Sequence, residues 1–206
     1  MTVGGTSDGI RCTVAGKELS PIEGLQIRVL SDPRVVERVR VLDEYCLAVK
    51  YSDHYYDTYV RPCAHKFNQV AFYNGMLVGS CTCRLESTDR EEEFNLYVMT
   101  LAVLEPYRRM GIGTHLLNSI LRAVAEETKV RISAVTLHVQ VGSFAIEFYR
   151  ACGFEEVGRV FNYYPNLNEC DAMLLRKVVP QPHLHDARRQ QNPNTKGGGG
   201  KPRKKK

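Results

Sequence analysis

A strand, a glycine-containing turn and an amphipathic helix follow one another in the middle of the chain, and this order constrains the fold more than any other feature. The run Phe94–Leu104 is apolar at both alternating sets of positions, which predicts a strand covered on both faces of its sheet. One apolar stripe predicts a helix over Gly111–Lys129. Gly111 and Gly113 open this helix, where free backbone N–H groups and the helix dipole favour an anion. Because glycine lets a phosphate approach the backbone closely, the segment predicts a phosphate-binding turn.

Two well-known phosphate loops do not match this turn. A Walker P-loop carries Lys-Ser or Lys-Thr after its second glycine, whereas Thr114 and His115 follow Gly113 here. The dinucleotide-binding fingerprint needs a third glycine and an early strand, and the sequence has neither. We therefore expect a phosphate-bearing ligand that is not a nucleoside triphosphate.

The remaining pattern between residues 21 and 180 predicts one α/β (α+β) domain, with a mixed, mostly antiparallel sheet flanked by helices. Asn74-Gly75 separates two apolar runs and predicts a tight hairpin, because both residues tolerate positive φ. Further strands are predicted over Ile22–Leu30, Phe67–Tyr73, Met76–Leu85, Arg131–Gln140, Glu155–Tyr164 and Asp171–Val179. Further helices are predicted over residues 33–45, 53–60 and 143–151.

The basic charge is concentrated at the C-terminal end. Residues 181–206 hold eight Lys or Arg residues and one acid, Asp186, so they carry a net charge of +7. The whole chain carries +5, which leaves −2 for residues 1–180, so the charge balance does not indicate a nucleic-acid-binding fold. The composition of residues 181–206 predicts a disordered basic tail, and the lack of periodicity in residues 1–20 predicts a flexible leader.

Seven cysteines at irregular spacings predict reduced thiols in a cytoplasmic protein. Metal-ligand spacings such as Cys-x-x-Cys do not occur, so no metal is expected. The longest apolar runs have only a few residues, far short of the roughly 20 that span a bilayer, and residues 1–12 lack the features of a secretory signal. We therefore expect a soluble protein that is not secreted and does not bind membranes.

Two segments resemble the cofactor-binding segments of the GNAT acetyltransferases. The turn from Arg108 to Gly113 reads Arg-x-x-Gly-x-Gly and is similar to their pyrophosphate loop. About 35 residues later, Ala145–Phe154 is similar to their second cofactor segment. The resemblance implies a single GNAT domain over residues 21–180 and acetyl-CoA as the co-substrate.

Four shorter segments narrow the resemblance. Leu96–Leu101, Pro106–Arg109, Leu137–Gln140 and Asn162–Tyr164 resemble the N-alpha-acetyltransferase 50 family, the catalytic subunit of NatE. The similarity covers roughly residues 20–178. It implies acetyl transfer from acetyl-CoA to the α-amine of protein N-termini, chiefly those that begin with methionine. It also implies N-terminal peptides as substrates, and a NatA-type complex and the ribosome as partners.

The resemblance assigns catalysis to Tyr97 and His138, acting through an ordered water. An α-amine has a pKa of about 8, so a base only has to remove a proton during the attack. Histidine is the natural base near neutral pH, and a tyrosine hydroxyl can relay a proton. On spacing alone, His138 is better explained as a core histidine, and the resemblance reverses this reading.

Two sets of binding residues are also implied by the resemblance. Cofactor binding is expected from the backbone amides of Leu101, Ala102 and Val103, from Arg108, Arg109, Met110, Gly111, Ile112, Gly113 and Thr114, and from Ser143 and Tyr149. Peptide binding is expected from Leu47, Val49, Tyr51, Met99, Tyr163 and Tyr164. Tyr149 is the candidate for a hydrogen bond to the CoA sulfur, although a packing aromatic explains it equally well.

Two departures from the family pattern affect these expectations. The family's Phe-Pro-Val appears here as Leu47-Ala48-Val49, and the smaller leucine predicts a wider pocket with a weaker preference for methionine. The segment 140–145 is one residue shorter than in the family and has no Asn. Gly142 or Ser143 therefore has to supply that cofactor contact, or the contact is lost.

Several alternatives stay open. The same scaffold could acetylate a lysine or small amine, although a lysine pKa of about 10.4 calls for a stronger base or a more acidic cleft. The chain could also be a weakly active scaffold subunit of an N-terminal acetyltransferase complex. The basic tail is explained by RNA contact on the ribosome, by a solubilising role, by nuclear import or by a cloning remnant. The expected location is cytoplasmic, with the nucleus as an additional site.

Overall fold

The computed structural model describes residues 13–14, 17–63, 66–182 and 184, and a seven-stranded sheet runs through its centre. In chain order the strands are β1 (Thr13–Val14), β2 (Lys17–Glu18), β3 (Leu25–Val29), β4 (Gln69–Tyr73), β5 (Met76–Ser87), β6 (Glu93–Val103), β7 (Arg131–Gln140), β8 (Glu155–Val160) and β9 (Ala172–Lys177). β1 and β2 form a separate antiparallel ladder, and the other strands lie in the order β3-β4-β5-β6-β7-β9-β8. β6 and β7 pair in parallel and the other neighbours are antiparallel, which confirms the predicted mixed, mostly antiparallel sheet.

Helices cover both faces of this sheet. They are α1 (Val36–Cys46), α2 (Asp53–Tyr55), α3 (Ile112–Ala125) and α4 (Ala145–Ala151), with 3-10 turns at Pro33–Val35 and Glu105–Tyr107 and a π-helical turn at Tyr56–Val60. α3 buries its apolar stripe on one face, in a core that also takes Cys81 and Cys83 of β5. α1, α2 and the π-helical turn form a second core on the other face, which takes Ala102 of β6. The α+β architecture expected from the sequence is confirmed.

The predicted hairpin is present, and two predicted element ends differ for identifiable reasons. Asn74 and Gly75 both have positive φ between β4 and β5. α4 begins at Ala145 rather than Ser143, because the Ser143 hydroxyl accepts the Ala145 N–H at 3.2 Å and so precedes the helix. β3 begins at Leu25 rather than at residue 22, because positive φ at residue 24 turns the chain just before it.

The end of β8 also differs from the sequence-based expectation. The strand ends at Val160 rather than at Tyr164. Asn162 has a φ of 52° and donates its backbone N–H to the carboxylate of Asp171 at 2.8 Å. The chain therefore turns at this point and carries Tyr163 and Tyr164 out of the sheet into the loop before β9.

Gln181 belongs to the folded domain, so the predicted tail begins later than residue 181. Its side-chain oxygen accepts the Ile132 N–H at 2.8 Å, and its Nε2 donates to the carbonyls of Val124 and Val130 at 3.1 Å each. The side chain thus joins the end of α3 to the beginning of β7. α3 ends at Ala125 instead of Lys129, and Gln181 bonds the Val124 carbonyl in its last turn. The remainder of the predicted tail, residues 183 and 185–206, lies outside the described residues.

Part of the predicted flexible leader is paired. Thr13–Val14 and Lys17–Glu18 form the short β1–β2 ladder, and the Ser20 carbonyl lies 3.1 Å from Nε2 of His115 on α3. Residues 1–12 and 15–16 of the leader lie outside the described residues. Across the described part of the chain, no helix has the length and apolar character needed to cross a bilayer, and no three His, Cys, Asp or Glu side chains are grouped to hold a metal ion.

Candidate active site

The two parallel strands at the centre of the sheet separate and open a cleft. β6 pairs with β7 from Glu93 to Tyr97, where Tyr97 lies opposite Thr136. Beyond Tyr97, the described pairs of β6 are with β5 alone, up to Val103 opposite Gly79. The second half of β6 therefore has one paired edge and one edge that faces the cleft.

A β-bulge lies at the point of separation. Thr82 and Cys83 of β5 pair with Thr100 and Val98 of β6, so Met99 is the extra residue. A bulge bends the strand that carries it and increases its local twist, and such irregularities are common beside active sites. The predicted peptide-binding residue Met99 thus lies where β6 turns away from β7.

Backbone groups line the cleft edge of β6. The Tyr51 hydroxyl donates to the Met99 carbonyl at 3.1 Å, and Nε of Arg108 donates to the Val103 carbonyl at 2.9 Å. Because residues two apart in a strand present their N–H and C=O groups to the same edge, Leu101 faces the cleft as well. Leu101 and Val103 are therefore well placed among the three residues whose amides were predicted to bind the cofactor.

Tyr97 and His138 meet at the base of the cleft, as expected for residues on neighbouring strands. The Tyr97 hydroxyl lies 3.0 Å from Nδ1 of His138 and 2.7 Å from the hydroxyl of Tyr163. The Tyr163 ring stacks on the imidazole with 4.1 Å between ring centroids. The Tyr164 hydroxyl donates to the His138 carbonyl at 3.2 Å. Two predicted catalytic residues and two predicted peptide-binding residues therefore form one hydrogen-bonded cluster.

Burial favours the neutral form of both Tyr97 and His138. Burial and the neighbouring Tyr163 hydroxyl raise the pKa of Tyr97, so its phenol keeps its proton at neutral pH. Burial lowers the pKa of His138, so its imidazole is neutral near pH 7. A neutral imidazole can accept the Tyr97 O–H at Nδ1. The cluster can therefore take up one proton at the imidazole while the phenol stays intact.

An ion pair behind the cluster was not anticipated from the sequence. The Arg84 guanidinium lies 5.0 Å from the centre of the Tyr97 ring, in a cation–π geometry. Nε and Nη2 of Arg84 donate to Glu86 at 2.9 and 2.6 Å, and the Glu86 charge raises the pKa of His138 against the effect of burial. Charged residues at alternate positions of an apolar strand were the available signal, since they share one face with the residues opposite them.

The glycine turn lies beyond the end of β6, at the open end of the cleft. Gly111 caps α3 with φ 87° and ψ 0°, and Arg109 also has positive φ, at 65°. Left-handed residues at such spacing direct successive backbone N–H groups into one concavity that suits an anion. The predicted phosphate turn therefore has the required backbone shape.

The side chains of Arg108 and Ile112 in the turn make contacts within the protein. Arg108 holds the turn against β6 through the Val103 carbonyl, and the Ile112 side chain is buried in the α3 core. Met110 is partly exposed, and Thr114 is half-buried in the first turn of α3. A Cβ placed on Gly113 would lie 3.7 Å from the Phe148 ring, an ordinary packing distance. Arg109 is exposed, so its guanidinium group and the backbone N–H groups of the segment are what the turn offers an anion.

The second predicted cofactor segment packs beside the first. The Ser143 hydroxyl is engaged by the Ala145 N–H at the start of α4. The Tyr149 ring is buried between Phe148 and Phe154, with centroids 5.0 and 5.5 Å away. A packing role for Tyr149 is therefore established, and its contact with a cofactor sulfur stays a prediction.

The predicted peptide pocket is walled by the loop after α1. Leu47 is half-buried and donates its N–H to the Asp43 carbonyl at 2.9 Å, and Val49 is half-buried next to it. The Tyr51 ring contacts Tyr55 at 4.4 Å, and burial raises the pKa of Tyr51 to about 12. This loop faces Met99 and the Tyr163–Tyr164 pair across the cleft, with Tyr51 bonded to β6.

One buried carboxyl lies under this wall. Asp43 on α1 is 1% exposed, and the hydroxyls of Ser80 and Tyr56 donate to it at 3.0 and 3.3 Å. Among the described ion pairs, none includes Asp43. Burial raises the pKa of Asp43 to about 7.

A cleft between two separating strands, with a glycine-capped helix start at its open end and a tyrosine–histidine pair at its base, is the architecture of acyl-CoA-dependent N-acyltransferases. The chain belongs to the acetyltransferase (GNAT) family, whose sequence pattern it matches over residues 36–154. The resemblance noted in the sequence is therefore confirmed at the family level.

Individual relatives are more specific. The probable N-acetyltransferase san of Drosophila melanogaster is 33% identical over 148 residues, which cover 71% of this chain and 77% of that protein. N-alpha-acetyltransferase 50 of Danio rerio is 32% identical over 73% of this chain and 86% of its own length. The solved structure of Arabidopsis thaliana Naa50 in complex with the bisubstrate analogue CoA-Ac-MVNAL superposes with a TM-score of 0.66 and 34% identity, covering 75% of this chain and 98% of that one.

Proposed function

We propose that this protein transfers the acetyl group of acetyl-CoA to the α-amine of protein N-termini. The observation that carries the proposal is the Tyr97–His138 hydrogen bond at the point where β6 and β7 separate. It is supported by the relationship to N-alpha-acetyltransferase 50 and by the Arabidopsis relative, which was solved with CoA linked through an acetyl group to a peptide that begins with methionine.

The residues present fit a CoA cofactor. The left-handed backbone at Arg109 and Gly111 suits its pyrophosphate, and the cleft edge of β6 at Leu101 and Val103 suits its amide-bearing arm. When bound, the cofactor supplies an acetyl thioester that is activated for attack by an amine. The cleft runs from the glycine turn at its open end to Tyr97 at its base, so the two substrates can meet at the tyrosine–histidine pair.

Tyr97 and His138 would then relay one proton away from the attacking amine. The α-amine has a reference pKa of about 8, so part of it is already neutral at pH 7. As its nitrogen bonds to the acetyl carbon, the carbon–sulfur bond of the thioester would break and the sulfur would leave as the CoA thiolate. The surplus amine proton can pass through a water to the Tyr97 oxygen, while the Tyr97 proton moves to Nδ1 of His138. The 2.7 Å hydrogen bond from Tyr163 holds the Tyr97 oxygen in place for this relay. Tyr97 ends the step with a proton, the state that burial favours, and the charge of Glu86 partly offsets the cost of burial for the protonated His138.

The acceptor pocket would admit more than methionine. Leu47 and Met99 pack against the same core, Val49 is half-buried two residues after Leu47, and leucine leaves more room than a phenylalanine ring would. Tyr51, Tyr163 and Tyr164 supply hydroxyl groups at the rim that can bond a peptide backbone. We expect methionine to be accepted together with other apolar first residues.

The test is acetyl transfer from labelled acetyl-CoA onto a library of N-terminal peptides, with internal-lysine peptides of blocked N-terminus as controls. Tyr97→Phe and His138→Ala should each lower kcat by roughly 10²–10⁴, the usual range for the loss of an acid–base group. Tyr45→Phe is the matched control, because Tyr45 is exposed on α1 and takes no part in the Tyr97–His138–Tyr163 hydrogen bonds. Transfer to lysine alone, or none to any amine, would refute the proposal in favour of the lysine-acetylating or scaffold alternatives.

We also propose that the enzyme works in the cytoplasm, within an N-terminal acetyltransferase complex at the ribosome, and that its basic C-terminal residues contact RNA. Six free cysteines among the described residues support a reducing compartment, and the charge of residues 181–206 supports an RNA contact. Deleting residues 185–206 should weaken ribosome co-sedimentation and leave turnover on short peptides unchanged. Equal co-sedimentation of both chains at low salt would refute the RNA contact.

A further inference from the structure

One exposed aromatic residue lies at the same edge of the sheet as the glycine turn. β6 and β7 are parallel, so their C-terminal ends, Val103 and Gln140, point toward the same edge. The chain continues from Val103 into the glycine turn and from Gln140 into the turn that contains Phe144. Phe144 is therefore at the open end of the cleft, with its side chain 94% exposed.

The packing of α4 places Phe144 relative to the glycine turn. A Cβ on Gly113 would lie 3.7 Å from the ring of Phe148, so the face of α4 that carries Phe148 is the one beside the first turn of α3. Phe144 has helical backbone angles, φ −59° and ψ −16°, and precedes Phe148 by four residues. Residues four apart lie on one helix face, so Phe144 extends the Phe148 side about 6 Å further along the helix axis.

The turn that carries Phe144 is held by its own hydrogen bonds. The Ser143 N–H donates to the Gln140 carbonyl at 3.1 Å, and the Ser143 oxygen atoms accept the N–H groups of Ala145 and Ile146 at 3.2 and 3.1 Å. Within the described residues, the Phe144 ring has no aromatic or cationic partner, whereas the exposed ring of Phe161 carries the guanidinium of Arg159. The protein thus fixes the base of this ring and leaves both of its faces open.

We propose that Phe144 is the stacking platform for the adenine ring of CoA and a specificity-determining residue for the nucleotide end of the cofactor. The proposal rests on the proposed function, because it requires CoA at the glycine turn. Adenine is joined through its ribose to the pyrophosphate, so it lies within reach of a side chain close to the phosphate turn. A phenyl ring offers a π-face to a planar base without needing a particular hydrogen-bond pattern.

The neighbouring glycine leaves room for such a base. No heavy atom lies within 4 Å of the position that a Cβ on Gly142 would take, so the space next to the turn is open. The sequence has no Asn in this segment, where the family has one. Stacking on Phe144 would supply cofactor affinity at the same turn by a different interaction.

The absence of tryptophan from the chain allows a direct optical test. The Phe144→Trp variant has a single tryptophan at the proposed platform. Tyr45→Trp is the matched control with a single exposed tryptophan on α1, since Tyr45 is 82% exposed. Titration with CoA should quench the fluorescence of Phe144→Trp with the Kd that calorimetry gives. Titration with 4′-phosphopantetheine, which lacks the adenosine, should not quench it. Tyr45→Trp should respond to neither ligand.

Affinity provides the second measurement. Phe144→Ala should raise the Kd for CoA roughly 5- to 150-fold, the range for loss of one base–aromatic stack, and leave the Kd for 4′-phosphopantetheine unchanged. A Phe144→Trp variant that binds CoA by calorimetry without quenching, or an unchanged Kd in Phe144→Ala, would overturn the platform and indicate that the ring serves a protein partner instead. A wild-type chain that binds no CoA by calorimetry would overturn the proposed function itself.

Discussion

Replacing Asp43 by asparagine should stabilise the protein at neutral and alkaline pH. Asp43 is buried on α1 and is held by two hydroxyl groups, from Ser80 and Tyr56, rather than by a cation. Burial raises its pKa from 3.8 to about 7. Asparagine has the same shape and can bond both hydroxyls, and it never carries the charge that the site disfavours.

The magnitude follows from the shift in pKa. Between pH 4 and pH 7 the folded state keeps the Asp43 proton while the unfolded state loses it, so the free energy of unfolding falls as pH rises through this window and is level above it. At 1.36 kcal/mol per unit, a shift of about three units is worth about 4 kcal/mol, as an upper bound. Asp43→Asn should remove this loss, so its advantage over the wild type should grow from near zero at pH 4 to its full value above pH 7.

Urea unfolding followed by far-UV circular dichroism at several pH values between 4.5 and 8.5 measures this directly, and it needs no tryptophan. Asp89→Asn is the control, because Asp89 is exposed in the loop between β5 and β6. This substitution removes the same charge as Asp43→Asn but at an exposed position. The control should leave the pH dependence of the wild type in place. If Asp43→Asn and the wild type differ by the same amount at every pH, ionisation of Asp43 is not the cause and the reasoning fails.

Three further predictions concern the cleft. Glu86→Gln removes the charge that raises the pKa of His138, so the acid limb of the kcat/KM profile should move to lower pH; an unmoved or upward-shifted limb would contradict this. Gly111→Ala should lower the free energy of unfolding by about 1–2 kcal/mol, because φ is 87° there. Gly113→Ala, in the first turn of α3, should leave the free energy of unfolding unchanged or raise it by up to about 1 kcal/mol, yet weaken CoA binding. Urea unfolding measures stability and calorimetry measures CoA binding, and equal losses of stability in the two variants would refute the assignment of the helix start to Gly111. Leu47→Phe should narrow the peptide pocket and raise the kcat/KM preference for methionine over isoleucine, which is branched next to the backbone, by about tenfold. An unchanged ratio in the peptide library would remove Leu47 from the pocket.

Local sequence patterns were sufficient for the elements whose ends depend on neighbouring residues. The hairpin at Asn74-Gly75 and the strand Arg131–Gln140 are where the pattern predicted them, because turn chemistry and alternation are local properties. The end of β8 was not predictable in this way. It depends on a hydrogen bond from Asn162 to Asp171, nine residues later, which no local pattern encodes.

The features of the site also divide into those that follow from the local sequence and those that depend on contacts distant in the chain. A glycine-containing turn at the start of a helix was predicted from Gly111 and Gly113, because a helix start and its preference for an anion follow from the local sequence, whereas the left-handed backbone at Gly111 is seen only in the structure. The pairing of Tyr97 with His138 came from a family resemblance and could not be inferred from a separation of 41 residues. Arg84 and Glu86 were missed, since their place behind the Tyr97 ring depends on the register between β5 and β6.

The contact made by Gln181 separates two parts of the chain that can change independently. It secures the beginning of β7 at Ile132, at the opposite end of that strand from the cleft, and it uses a single side chain to do so. Sequence after this residue can be lengthened, shortened or exchanged without disturbing the chemistry, provided that the glutamine is kept. A fusion partner joined after Leu184 should leave the stability and activity of the enzyme unchanged. The same partner joined at Pro180 would remove the Gln181 hydrogen bonds and lower the stability of the sheet at the beginning of β7.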